Sequence, residues 1–581
     1  MKILLAAALW LSPCAASAQT TSTGTFVHLT GRAWQTLDPA NAFDAVSAFV
    51  SGNVYESLIT FKSVDELDSF EPFLASEVPT LQNGLLSKDG LAYSFPIRKG
   101  VRFHDGTELS ADDVRYSLLR FMLLDSEGGP AALLLRPLLG VYGTRDAAGK
   151  LVVDFDQAAK AVSTDGDKVV VRLKRPDASF LRLMASLPIA TSRSWAAKNG
   201  DWDGRAETWK GLNGKPADQT ALHSKLNGSG PFKLERAERD GLLLTRHDAY
   251  WRGPAALKDV VLRVVPNGAL RLFMLAAGDA DAGYLEGSYR AYAKASHGVR
   301  VLEEAPGRDL GEILFFGFKI DPKDNDLLGS GKLDGRGIPA DFFADADVRR
   351  GFAYAFDYEA FLRGALGGQG RRAAGPFPSA LAASDGEPAY RQDPAKAAAH
   401  LRKAHGGRLW DKGFVFSIAF SADNLQRQVA AEALQSGLAK LNPKFQVRLQ
   451  PIPSREFYGQ LETRRLPMFI AGFYADYPDP HSYSLGLVHS QGYFPKFQGF
   501  ADAGLDALVE KAQAAALSER ARLYKELFGA AQAKLAQIYT YQPAPMRVCR
   551  EWVAGFDSRQ NVNDLAFNGF PYFYAYSKKP E

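Results

Sequence analysis

Between Phe414 and Tyr477 the hydrophobic rhythm switches repeatedly, and that alternation constrains the fold more than any other feature of the chain. Phe414, Phe416, Ile418 and Phe420 alternate with other residues, the period of a strand. Asp423 can cap a helix, and Leu425, Val429, Leu434, Leu438 and Leu441 recur at roughly helical spacing until Asn442-Pro443 stops them. Phe445, Val447 and Leu449 alternate again. Ser454 opens a short helical segment ending near Arg464-Arg465, and Leu466 to Ile470 is a third apolar run before Ala471-Gly472. The order strand, helix, strand, helix, strand predicts an α/β unit: a parallel sheet with right-handed crossovers and helices on its faces.

Open α/β sheets bind ligands beyond the carboxyl ends of their strands. Gly472-Phe473-Tyr474-Ala475-Asp476-Tyr477-Pro478-Asp479-Pro480 sits at that end of the third strand. It carries three aromatics and two carboxylates, and its prolines argue against an immediate helix. It is the best site candidate by pattern. The competing reading is an ordinary capped loop whose tyrosine pair packs on the core, and pattern alone leaves both open.

The first residues speak to compartment. After Lys2, the run Ile3 to Leu11 is too short to cross a bilayer and has the length of a secretory signal core. Ala16-Ser17-Ala18 gives the small-x-small cleavage pattern, with Gln19 as the new terminus. A lipoprotein reading would use Cys14, but Pro13 fits poorly before a lipidated cysteine. Cleavage leaves Cys549 as the single thiol, so no internal disulfide is expected. With 581 residues the chain exceeds one ordinary core, and at least two domains are expected. The 69 Lys+Arg and 65 Asp+Glu are interleaved, which gives no footprint for nucleic acid or an anionic membrane surface. No later stretch reaches transmembrane length without charges. The mature chain is expected to be exported and soluble.

Near the front, Tyr93, Phe95 and Ile97 with Val101 and Phe103 suggest a strand pair, and His104-Asp105-Gly106-Thr107 a turn. Ser110 caps a helix whose first turn holds Asp112 and Asp113 and whose buried stripe is Val114, Leu118 and Phe121. His104 reads as structural. Leu505, Leu508 and Val509, then Leu523, Leu527 and Leu535, suggest two helices near the end. Asp324 to Arg336 reads as a surface loop. Gly329-Ser330-Gly331-Lys332 lacks the spacing of a phosphate loop, and Asp324 with Asp326 fails as a calcium loop because Leu328 breaks the ligand series. There is no Gly-x-Ser-x-Gly elbow and no His-Glu-x-x-His. Catalytic residues, metal ligands and cofactors are therefore all expected to be none.

Several stretches together carry a resemblance. They are Leu37-Asp38-Pro39; Asn53 to Leu58; Glu71 to Ala75; Asp89 to Val114; Gly228-Ser229-Gly230-Pro231-Phe232; Arg246 to Trp251; Ala277 to Asp281; Asp347 to Arg350 with Ala355-Phe356-Asp357; and Ala475 to Pro480. In these the chain resembles the extracytoplasmic solute-binding proteins of ABC importers, family 5, the class with oligopeptide-, dipeptide- and nickel-binding members. The stretch from Arg98 to Val114 is the most specific. The resemblance implies a two-lobed periplasmic-binding-protein fold of type II with a hinge. Residues 19–61, 186–305 and 545–581 would form lobe one, 62–185 an additional domain, and 306–544 lobe two. It implies a monomer in the periplasm that binds short peptides between its lobes and hands them to a permease in the inner membrane. By the same resemblance Asp476 would pair with a ligand's α-ammonium. Gly472 and Tyr474 would offer backbone hydrogen bonds, and Phe473 (where Trp is common) and Tyr477 would lie beside the ligand. Ser229 stands for the usual Thr, and the 324–336 loop looks long. The alternatives are a non-peptide solute (an oligosaccharide, an opine-like compound or a metal chelate), a periplasmic chaperone or sensory receptor, and an exported hydrolase.

Overall fold

The computed structural model describes residues 23–579 apart from 43, 64–65, 127–128, 147, 304–308, 367–368, 382–385, 423, 545 and 558–570. The expected signal segment 1–18, Cys14 and the expected cap Asp423 lie outside the described residues. Two sheets carry the architecture. The first has seven strands in the order Val299–Glu303, Met546–Arg550, Ala282–Gly283, Thr25–Thr30, Asp259–Val264, Gly241–Arg246, Phe232–Glu238. The second has five, in the order Phe445–Ile452, Phe414–Ser421, Met468–Phe473, Leu310–Phe316, Gln537–Tyr539.

The second sheet holds the segment with the clearest rhythm. Phe414–Ser421 runs parallel to Phe445–Ile452 on one side and to Met468–Phe473 on the other. Helix Leu425–Leu441 is the crossover between the first pair, and its N-cap is Asn424, whose side chain accepts the Arg427 amide. The sheet is mixed rather than wholly parallel. Leu310–Phe316 alone runs against the rest, antiparallel to both of its neighbours, Met468–Phe473 and Gln537–Tyr539, because the chain enters and leaves this lobe through Leu310–Phe316 and Gln537–Tyr539 without a crossover helix between them and the parallel set. Two cores flank it, one holding Leu314, Phe416 and Ile470, the other Ile313, Phe315 and Phe469.

A third core runs from Leu58 to Leu222 around the sheet Ala92–Pro96, Lys168–Arg172, Val162–Asp165. Its packing continues past residue 185: Leu187, Ile189, Trp202, Trp209 and Leu222 belong to it, and the Trp202 ring stacks on Tyr116 at 5.4 Å. Ser110 and Asp113 form a reciprocal cap on helix Ala111–Leu124, and Val114, Leu118 and Phe121 are buried as expected. The expected strand pair is corrected. Ala92–Pro96 pairs with Lys168–Arg172, while 101–107 closes on itself, the Phe103 amide donating to the Thr107 carbonyl at 2.8 Å. Gly100 and Gly106, at φ 77° and 87°, bend the chain too sharply for a ladder. The His104 amide donates to the Gly228 carbonyl and its Nε2 meets the Gly230 carbonyl at 3.0 Å, so this turn docks the third core onto the first lobe. Burial holds the imidazole neutral, titrating at about 3.

The same two bodies are joined by a buried ion cluster. Arg120 of helix Ala111–Leu124 forks onto Asp38 at 2.6 and 2.7 Å, and its Nε reaches Asp201 at 2.9 Å. Removing the cation would leave two carboxylates in a dry interior. Arg120→Met is expected to cost about 3–5 kcal/mol of unfolding free energy, read by urea denaturation at pH 7. A loss under about 1 kcal/mol would mean that water reaches the cluster.

Candidate ligand-binding cleft

The parallel strands of the five-stranded sheet end together at Ser421, Ile452 and Phe473, and the candidate loop leaves from the last of them. Along that strand Met468 and Ile470 face one core, Phe469 and Ala471 the other. The alternation continues into the loop. Phe473 follows Phe469 and Ala471: its ring lies edge-on to Tyr483 at 5.5 Å and to Phe494 at 6.2 Å. Gly486 makes the slot, since a Cβ there would fall 2.1 Å from the Phe473 ring. Gly472 points the other way, toward an ion pair between Arg427 Nε and Glu312 at 2.8 Å.

Tyr474 is 66% exposed, and Tyr284, which follows strand Ala282–Gly283 of the other lobe, is 58% exposed. Both phenols are nevertheless pushed up by desolvation, and each feels Glu312. A ring that is solvent-accessible yet desolvated at its phenol stands in a gap with protein on several sides. Tyr284 of one lobe thus faces Tyr474 and Glu312 of the other across a cleft, with Arg427 held beside Glu312.

Asp476 lies in this desolvated region, partly open to solvent. Its amide donates to Ser482 Oγ at 2.9 Å, and the Ser482 hydroxyl donates back to its carboxylate at 3.3 Å. Among the described residues no cation pairs with it. Burial pushes its carboxyl up to about 7 against the pull of Ser482. Tyr477 turns away: it is 3% exposed and packs in the third core. The same alternation that opens Tyr474 and Asp476 therefore seats Phe473 and Tyr477 in cores, so those two rings brace the loop instead of facing the cleft. Asp479 is fully buried between Arg182 at 2.6 Å and Arg520 at 2.8 Å, and it caps helix Pro480–Leu487. Pro480 starts that helix rather than blocking it, because a first-turn proline has no amide partner to lose.

Sequence reasoning missed Tyr284, Glu312, Arg427 and Ser482. Arg427 carried a signal: a cation in a helix's first turn opposes the helix dipole and calls for a nearby acid. Glu312 is 115 residues away, and no local pattern points to it.

Two lobes facing each other across a cleft, with a carboxylate that no described cation pairs just beyond the carboxyl end of a central strand, fit a solute-binding protein of the two-lobed type. The family of bacterial extracellular solute-binding proteins, family 5 Middle, matches residues 69–495, and the chain belongs to it. The chain is 27% identical over 543 residues to heme-binding protein A of Haemophilus influenzae, covering 91% of this chain and 87% of that one. It is 24% identical over 537 residues to the probable di/tripeptide-binding protein 5 of Pseudomonas aeruginosa, with 88% and 92% covered. Its fold is similar to that of the periplasmic binding protein DppA from Helicobacter pylori in complex with peptide STSA, with a TM-score of 0.73, 21% identity and 96% and 98% covered. Members of this family bind solutes for transport and are not enzymes. Among the described residues no helix is long and apolar enough to cross a membrane.

The raised Asp476 titration has a consequence for stability. A carboxyl titrating near 7 when folded and near 3.8 when unfolded holds its proton more tightly in the fold. Its contribution is greatest below the unfolded value and is lost as pH rises through the folded one. Asp476→Asn, neutral throughout, is therefore expected to raise the Tm of the empty protein at pH 8 and to leave it unchanged at pH 4, read by calorimetry. Equal shifts at both pH values would show that the native carboxylate is already well solvated.

Proposed function

We propose that the protein captures short peptides in the inter-lobe cleft and delivers them to an ABC permease. It acts in the periplasm as a monomer, after cleavage behind Ala18. The observation that carries this reading is Asp476. A carboxylate held in a desolvated cleft with one hydroxyl partner is set to receive a cation, and a peptide's α-ammonium supplies one. Gly472 and Tyr474 stand at an open strand end, where an extended backbone can add hydrogen bonds without its side chains being read. The Pseudomonas relative named for di- and tripeptides and the Helicobacter complex with a tetrapeptide support this ligand class.

A second reading keeps the transport role for a metal chelate. The Haemophilus relative is named for heme. The two exposed tyrosines facing the cleft from opposite lobes, Tyr284 and Tyr474, offer flat surfaces for a planar ring. Native mass spectrometry of protein taken from its own periplasm separates the two by the mass retained.

Asp476→Asn is expected to weaken a free-amine tripeptide by about 2–5 kcal/mol and to change its N-acetylated form little, measured by calorimetry at pH 8. Equal losses for both forms would remove the proposed ion pair.

A further inference from the structure

The chain passes between the seven- and five-stranded sheets twice, once between residues 303 and 310 and once between 542 and 546. The third core is continuous in sequence with the seven-stranded lobe and is also bound to it by the His104 turn and the Arg120 cluster. Against the five-stranded lobe it has no chain connection, and what holds it there is non-covalent. The centre of that contact is Asp479. Arg182, from the third core, reaches its carboxylate at 2.6 Å, and Arg520, from the same lobe as Asp479, reaches it at 2.8 Å. Arg182 also donates to the Pro478 carbonyl at 3.2 Å. Around it, Arg136 meets His481 at 2.6 Å and Gln513 at 2.9 Å, and Arg175 meets Glu510 at 3.1 Å.

This contact is built so that it can separate. If the two sides part, Asp479 keeps Arg520, and Arg182 keeps Asp68, its other partner at 2.7 Å. Arg182 and Asp479 are thus each left with an ion partner, which avoids the uncompensated charge that makes breaking an ordinary buried pair so costly, while Arg136 gives up its two partners across the contact, His481 and Gln513. Asp479 is also three residues from Asp476, on one short loop. One carboxylate of that loop serves the cleft and the other serves the third core, with Tyr477 between them inserted into that core.

We propose that Arg182 is a positioning residue that latches the closed form: it holds the Asp476-bearing loop against the third core and so ties ligand capture to lobe closure. The proposal rests on the cleft being the solute site but not on the solute being a peptide. When the lobes open, Arg182 and Tyr477 withdraw from each other's lobes while Arg520 stays in place.

Electron–electron resonance distances between spin labels at Lys160→Cys and Lys440→Cys, both exposed, report open and closed fractions with and without trialanine; Cys549 is buried and unlabelled. Arg182→Ala is expected to lower the closed-to-open ratio at least about fivefold, the lower end of typical couplings, and Arg182→Lys to restore part of it. Asp479→Asn should act in the same direction. An unchanged ratio in Arg182→Ala would make the contact merely structural. A single distance in every condition for the wild type would show that the third core travels with the five-stranded lobe, which also overturns the latch. Failure of trialanine to shift the wild type counts against the peptide reading, while the ligand-free comparison still decides the role of Arg182.

Discussion

A carboxylate withdrawn from water is costly unless a cation or several donors meet it, and this constraint organises the molecule. Asp38 and Asp201 share Arg120 where the third core joins the first lobe. Among the described residues Glu56 forms no ion pair, but it receives hydrogen bonds from Ser229, Tyr250 and Trp251 at 2.6, 2.8 and 2.9 Å. Asp281 collects the Val27 amide, the Trp552 indole and Lys578, tying the end of the chain to the central strand. Asp479 takes two arginines. Asp476 has one hydroxyl. Set beside the others, it is the carboxylate whose surroundings are incomplete, and the proposed ligand contact rests on that incompleteness.

The other stretches that carried the family resemblance serve the scaffold. Asn53 to Leu58, Gly228 to Phe232 and Arg246 to Trp251 converge on Glu56, which is why they read as a set although they lie far apart in sequence. Gly228 and Gly230 press so closely on Val54 that a Cβ would fall 2.0 and 2.7 Å from its carbonyl oxygen. The His104 turn closes onto those same glycines. A motif can therefore identify a family strongly through scaffold contacts such as these.

What was legible was what is periodic and local. Phe414–Ser421 and Phe445–Ile452 declare themselves through alternating large apolar residues, Met468–Phe473 through an apolar run ending at a glycine, and helix Ala111–Leu124 through its apolar stripe and capping box. The antiparallel strand of the five-stranded sheet was not legible, because Leu310–Phe316 is buried on both faces and shows no period. Val101 and Phe103 misled for a related reason: buried alternation arises in a tight glycine-bent loop as readily as in a ladder. Within the candidate loop, composition singled out nine residues, 472–480, as a unit. Which of them face the gap depends on the register inherited from Met468–Phe473 and on the slot at Gly486, neither of which the loop itself encodes.

The near-neutral titration of Asp476 gives the cleft a second occupant. Around neutrality a large share of molecules carry a proton there, and an arriving cation must displace it. On the proposed reading, loading of that share is an exchange, at most one hydrogen ion released for each positive solute seated. The acidity of the surroundings sets how often the seat is already taken, with no further machinery than one carboxyl kept short of water.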